Sequence, residues 1–243
     1  MKAHSVETAT LADRYASLSA EDMLDDLIHR VFPGQIALVS SFGTESAVLL
    51  HMLSRIDPEV PVLFLDTGKL FGETLRYRDT LVARLGLREV RTLHPARTPL
   101  AVEDADGMLF QRDADRCCAL RKVAPLRDAL GGFAAWINGR KGHHGDLRAN
   151  LPKVEADGPR LKATPLAGWS AIDVQTYFER HDLPPHPLQD DGYLSIGCYP
   201  CTERATDPND PRSGRWAGKG KTECGIHTTP SPAPYQDAWW PVG

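Results

Sequence analysis

The chain has 243 residues, 42% hydrophobic and 25% charged, with a formal net charge of -4. Those proportions fit a globular protein with one sizeable core, and the slightly acidic balance gives no reason to expect a nucleic-acid partner. No run approaches the ~18 apolar residues of a membrane helix, and the first twenty residues lack the apolar stretch of a signal peptide, so a cytoplasmic location is expected.

Ser19 to Phe32 reads as an amphipathic helix, opened by Ser19 with Asp22 three residues on and stopped by Pro33-Gly34. Gln35 to Ser40 is a short apolar run of the buried-strand type, and Ala47 to Ile56 is a helix. A second buried strand spans Val62 to Leu65, a helix Gly72 to Leu85, and a third strand Glu89 to Leu93. Cys117 to Leu130 reads as a helix with Pro125 awkwardly inside it, followed by a fourth strand, Phe133 to Ile137. The last helix covers Ser170 to His181 and ends before Pro184-Pro185. Strands alternating with helices, with near-continuous apolar strands, predict a doubly wound, mostly parallel α/β sheet covered on both faces. Such sheets bind ligands at the carboxyl ends of their strands, which directs attention to loops 40–46, 66–69 and 138–150. After Cys201 the texture becomes turn- and glycine-rich, so the expected division is one α/β domain, 1–201, and a mobile C-terminal segment, 202–243.

Ser40-Ser-Phe-Gly-Thr-Glu-Ser46 joins a strand to a helix with hydroxyls, a glycine and free N–H groups, which suits a phosphate or sulfate as well as an ordinary capped turn. It lacks the spacing of a Walker loop. The segment 136–148 carries Arg140, Lys141, His143, His144 and Arg148 among glycines; it is either an anion site or a solvated basic loop.

Five cysteines are arranged as Cys117-Cys118, Cys198-Tyr-Pro-Cys201 and a lone Cys224. Four soft ligands in two pairs can close one metal site and leave one thiol over. Adjacent cysteines reach a single small ion with difficulty, whereas a cluster offers separate irons; by ligand chemistry zinc and an iron–sulfur cluster stand level, with buried structural thiols the remaining alternative. Cys224 follows a stretch holding Arg212, Arg215, Lys219 and Lys221 with no acid before Glu223. Such a cationic surround lowers a thiol pKa and makes a nucleophile.

Together, Ser40-Ser-Phe-Gly43, Leu65-Asp-Thr-Gly68 with Glu73-Thr74, Cys117-Cys118, Gly139-Arg-Lys with Arg148, Ile196-Gly-Cys-Tyr-Pro-Cys201 and Glu223-Cys-Gly-Ile-His227 resemble the assimilatory sulfonucleotide reductases, across residues 35–227. The resemblance implies a fold like the adenine-nucleotide alpha hydrolases and reduction of adenylyl-sulfate to sulfite and AMP. Cys224 would be the nucleophile, forming an S-sulfocysteine that thioredoxin or glutaredoxin resolves. It implies a [4Fe–4S] cluster on Cys117, Cys118, Cys198 and Cys201, with Lys122 beside cluster and substrate. Substrate contacts would come from Ser40, Ser41, Phe42, Gly43, Asp66, Thr67, Gly68, Lys122, Gly139, Arg140, Lys141, Arg148 and His227. In the family the 139–148 loop reads close to GRRxxQ, whereas here Gly142-His143-His144 stands in the middle and Asp146-Leu147 precedes Arg148. The rival readings are a phosphoadenylyl-sulfate reductase, a zinc-containing ATP-pyrophosphatase-type enzyme, and an iron–sulfur redox sensor.

Overall fold

The computed structural model describes residues 2–143, 148, 150–207, 210–218 and 220–227. Helix α1 (Lys2–Tyr15) and α2 (Ala20–Asp26) lead into strand β1 (Ile36–Ser40), α3 (Ser46–Ile56), β2 (Val62–Leu65), α4 (Gly72–Leu85) and β3 (Val90–Leu93). Three short helices, α5 (Arg97–Glu103), α6 (Leu109–Arg112) and α7 (Ala114–Cys118), precede α8 (Ala124–Ala129) and β4 (Ala135–Ile137). A hairpin, β5 (Val154–Asp157) and β6 (Arg160–Ala163), and α9 (Ala171–Arg180) follow.

The six strands form one sheet in the order β3-β2-β1-β4-β6-β5. All pairs are parallel except the edge hairpin β5–β6. All five residues of β1 are buried, because both faces of the sheet are covered. Ile36 and Leu38 pack on one side with Leu50, Leu53 and Phe64, while Ala37 and Val39 face Leu126, Leu130 and Trp136 on the other. The chain runs from β1 outward to β3 and returns to β4 on the other side of β1. That reversal leaves a crevice at the carboxyl ends of β1 and β4, where ligands bind in open α/β sheets.

The eight predicted elements that precede the hairpin lie where the sequence puts them, with small shifts at their ends. The helix expected over 117–130 begins earlier, at Ala114, with the Asp113 side chain accepting from the Arg116 N–H at 2.8 Å. It widens to an i→i+5 turn over Ala119–Val123. That wider turn lies immediately before Pro125, whose ring would clash in a regular α-helix. Helix α2 ends in a similar widened turn, Leu27–Val31, and opens with Ser19 Oγ accepting from the Asp22 N–H at 3.0 Å.

Two regions depart from expectation. Helix α1 was not legible, because its buried positions are as sparse as Leu11 and Tyr15. It is held by Asp26, which pairs with Arg14 and accepts from Tyr15 Oη at 2.8 Å, and by Lys153 Nζ on the carbonyls of Tyr15 and Leu18. The edge hairpin was also unread, although Asp157-Gly158 between short strands is a hairpin signal. Among the described residues no helix is long and apolar enough to cross a membrane.

Leu50 is fully buried in the larger core. Leu50→Ala is expected to lower unfolding free energy by about 2–5 kcal/mol, measurable as a shift in the denaturant midpoint with an unchanged slope.

Candidate active site

The crevice is a cavity of about 200 Å³ lined by the ends of β1 and β4, the loops after them, residues 195–197 and residues 212–227. Its floor is shaped by the turn after β1. Ser40 Oγ accepts from the Phe42 N–H at 3.2 Å, and Phe42 takes a left-handed backbone with φ 49. Its ring is thereby turned into the core, edge-on to Phe64 at 5.3 Å, leaving Ser40, Ser41 and Gly43 to face the cavity. Thr44 Oγ1 donates to the Leu194 carbonyl at 2.9 Å and ties this turn to the opposite wall.

The basic loop after β4 supplies fewer unengaged cations than its composition suggests. Arg140 is pinned inward, pairing with Glu155 and donating from Nε to Asn138 Oδ1 at 3.1 Å. Lys141 Nζ lies 2.8 Å from Glu45, whose other oxygen is 3.5 Å from His143 Nε2. Arg148 holds Glu223 through two hydrogen bonds of 2.7 Å. Gly139, Arg140, Lys141 and Arg148 all line the cavity; His144, Asp146 and Leu147 lie outside the described residues.

Asp66, Thr67 and Gly68 do not line this cavity. They shape the cysteine site beside it. Asp66 Oδ1 accepts from the Gly68 N–H at 2.9 Å, and Thr67 Oγ1 lies 3.2 Å from Cys198 Sγ. A bridge between Leu70 and Cys198, with the Tyr199 N–H donating to the Lys69 carbonyl at 2.9 Å, straps the CxxC turn to the end of β2. Cys117 and Cys118 arrive from the last turn of α7, and all four sulfur-bearing side chains line one small cavity with Lys69, Arg121 and Lys122. Arg121 is fixed there by Asp104 and by the Thr67 carbonyl at 2.7 Å. Every cysteine is a free thiol. Among the described residues no three Cys, His, Asp or Glu side chains converge on a point suited to one metal ion. Four soft donors around a single cavity, in a cationic setting, nonetheless suit a larger anionic thiolate-bound group.

Residues 202–227 fold back over the crevice as an arm. Thr202 and Arg215 form a bridge, and Glu203 N–H donates to the Gly214 carbonyl at 2.8 Å. A Cβ on Gly214 would meet the Glu203 carbonyl oxygen at 2.2 Å, so this crossing requires glycine. Trp216 is buried beneath the guanidinium groups of Arg212 and Arg215, 5.3 and 4.4 Å from its ring centre. A Cβ on Gly197 would meet Arg215 Nη2 at 2.3 Å, so the opposite wall also admits the arm only through a glycine.

Cys224 is thereby brought between the two cavities. A hydrogen bond with Cys118 holds the Cys224 thiol well below its ordinary pKa; burial opposes this, and Lys122 and Arg215 reinforce it. Cys118 is pushed up by the same hydrogen bond. Lys122 is the link: burial alone would discharge it, but the sulfurs of Cys198, Cys224 and Cys118 outweigh that and hold it protonated. His227 stacks on Trp136, with centroids 6.3 Å apart and 12° between planes. Burial and the surrounding Arg140, Lys162 and Arg148 push its pKa well down, so the imidazole is neutral, and its Nδ1 is buried with no hydrogen-bond partner.

The structure adds residues the sequence did not single out. Lys162 lies 3.1 Å from Glu155 and 5.2 Å above the Trp136 ring, and donates to the His227 carbonyl at 3.4 Å. Lys162 and Glu155 both come from the β5–β6 hairpin. Arg212 and Arg215, read as a cationic surround for Cys224, also form a wall of the crevice.

Residues 35–204 match the family model described as phosphoadenosine phosphosulfate reductase domain. Over 223 residues the chain is 48% identical to a protein from Chelativorans sp. (strain BNC1) named adenosine 5'-phosphosulfate reductase, covering 91% of each. A protein from Gloeobacter violaceus named phosphoadenosine 5'-phosphosulfate reductase is 40% identical, with 89% of this chain and 92% of that one covered. Among solved structures, the phosphate complex of phosphoadenylyl-sulfate reductase from Candida auris superposes with a TM-score of 0.68 at 25% identity, covering 81% of this chain and 96% of that one.

Lys122→Ala removes the cation shared by the sulfurs. Alkylation of Cys224 by iodoacetamide at neutral pH, followed by peptide mass, is expected to slow by roughly tenfold or more as thiolate is lost.

Proposed function

Because this chain belongs to the phosphoadenosine phosphosulfate reductase family, we propose that it reduces adenosine 5'-phosphosulfate to sulfite and AMP by nucleophilic attack from Cys224. The observation that carries this reading is the position of the Cys224 thiol. It lines the nucleotide-type crevice together with Lys122 and Arg215, the cations whose charge lowers its pKa.

The Cys224 thiolate attacks the sulfur of the sulfuryl group. A bond from Sγ to that sulfur forms, and the bond from sulfur to the bridging phosphate oxygen breaks. AMP departs with the electron pair, and an S-sulfocysteine remains. Fixed cations at the leaving phosphate lower the barrier because they need no reorganisation as charge moves; Arg148, Arg212 and Arg215, which line the cavity, would supply that charge. Ser40, Ser41, Gly43, Gly139 and Lys141 line the end nearer the sheet and would hold the nucleotide, with neutral His227 presenting its unpartnered Nδ1. A dithiol protein of the thioredoxin or glutaredoxin class then attacks Cys224 Sγ. Sulfite leaves with the electron pair, and the reductant's second thiol restores the Cys224 thiolate as the reductant becomes a disulfide. Residues 202–243 would act as an arm that closes for the first step and opens for the second. Free thiols throughout favour a reducing, cytoplasmic setting.

Cys117, Cys118, Cys198 and Cys201 would hold a [4Fe–4S] cluster. When bound, such a cluster supplies negative charge that Lys122 can share with the substrate; the electrons for reduction come from the thiol partner. Iron content of the purified protein is expected to be about four per chain, with zinc at background.

The adenosine 5'-phosphosulfate assignment draws on the names of the more similar relatives and on the four-cysteine set. The second reading, a 3'-phosphorylated substrate, has the Gloeobacter relative in its favour. Steady-state rates with both nucleotides decide between them, and the unphosphorylated one is expected to be preferred. Cys224→Ser is expected to keep its iron and bind AMP while releasing no sulfite; sulfite formation near the wild-type rate in that variant would sink the mechanism.

A further inference from the structure

Glu223 adjoins the nucleophile, yet the proposed chemistry gives it no task. Its Oε2 accepts from Arg148 Nε and its Oε1 from Arg148 Nη2, each at 2.7 Å, the fork-to-fork arrangement of a strong ion pair. Arg212 Nη2 stands 3.5 Å from Oε1, and the Cys224 N–H donates to the same oxygen at 2.9 Å. The side chains of Arg148 and Glu223 are 8% and 18% exposed. Arg148 belongs to the body and Glu223 to the arm, 75 residues later.

Two other side-chain ties between arm and body are weaker by geometry. Lys221 pairs with Asp115, whose carboxylate is 84% exposed and therefore screened. Lys162 reaches the His227 carbonyl only at 3.4 Å. A buried bidentate pair is different, because losing one partner strands a charge away from water.

We infer that Glu223 is the clasp that locks the arm over the crevice. While its carboxylate holds Arg148, the segment that carries Cys224 is fixed to the body; neutralising that carboxylate leaves Arg148 buried without its partner and frees the segment.

Amide exchange in the intact enzyme tests the clasp, read on peptides from 210–227 and on β1 and β2 as internal controls. Without substrate, Glu223→Gln is expected to exchange at least about tenfold faster than wild type in the arm, with the strands unchanged and with Glu223→Asp recovering part of the protection. Wild-type exchange in the arm, or faster exchange spread through the strands, overturns the clasp.

Discussion

The Lys122 ammonium, buried among the sulfurs of Cys118, Cys198 and Cys224, is the interaction on which the rest of the site depends. Placing an ammonium away from water costs several kcal/mol unless opposing charge surrounds it, and here the sulfurs that offset the cost come from three separate parts of the chain. Cys118 lies four residues before Lys122, so a helical turn puts both on one side. Cys198 is delivered by the strap onto the end of β2, and Cys224 by the folded arm. Each placement has its own local cause, and the cation at the centre is what the three share. The cation that lowers the Cys224 pKa thus belongs to the body, while Cys224 itself reaches it on the arm.

What could be read from sequence follows from how locally each feature is determined. Val62–Leu65 and Gly72–Leu85 are found where expected, the strand because it is buried on both faces and the helix because Gly86 with φ 65 ends it. The five cysteines declare themselves by residue type, since thiols with that spacing have few other uses. Helix α1 escapes because its stability comes from Asp26 and Lys153, far away in the chain, rather than from an apolar stripe. The fate of the basic loop is illegible for a related reason. Arg140 and Lys141 are neighbours of identical charge, and only the distant carboxylates Glu155 and Glu45 separate their roles. Asp66, Thr67 and Gly68 show a third limit: the loop after β2 lies at the carboxyl edge of the sheet, but which of two adjoining cavities it borders depends on where Cys198 docks.

Those pairings divide the cations of the site into two kinds. Arg140, Lys141 and Lys162 are matched to carboxylates on neighbouring elements and stiffen the walls of the crevice. Lys122 and Arg215 face sulfur instead. A wall whose charges are already neutralised keeps its shape when the ligand leaves. A cation balanced only by a thiolate keeps much of its field for whatever anion approaches that sulfur. Arg212 lies between the two kinds: burial and Arg148 press its pKa down to about 10, Glu223 and the Cys224 sulfur pull it up, and it touches both the wall and the nucleophile's segment. The arm therefore carries the nucleophile together with two of the cations that act on it. In the proposed reaction, closing the arm would therefore bring the thiolate and the charge that a departing phosphate requires into the crevice together.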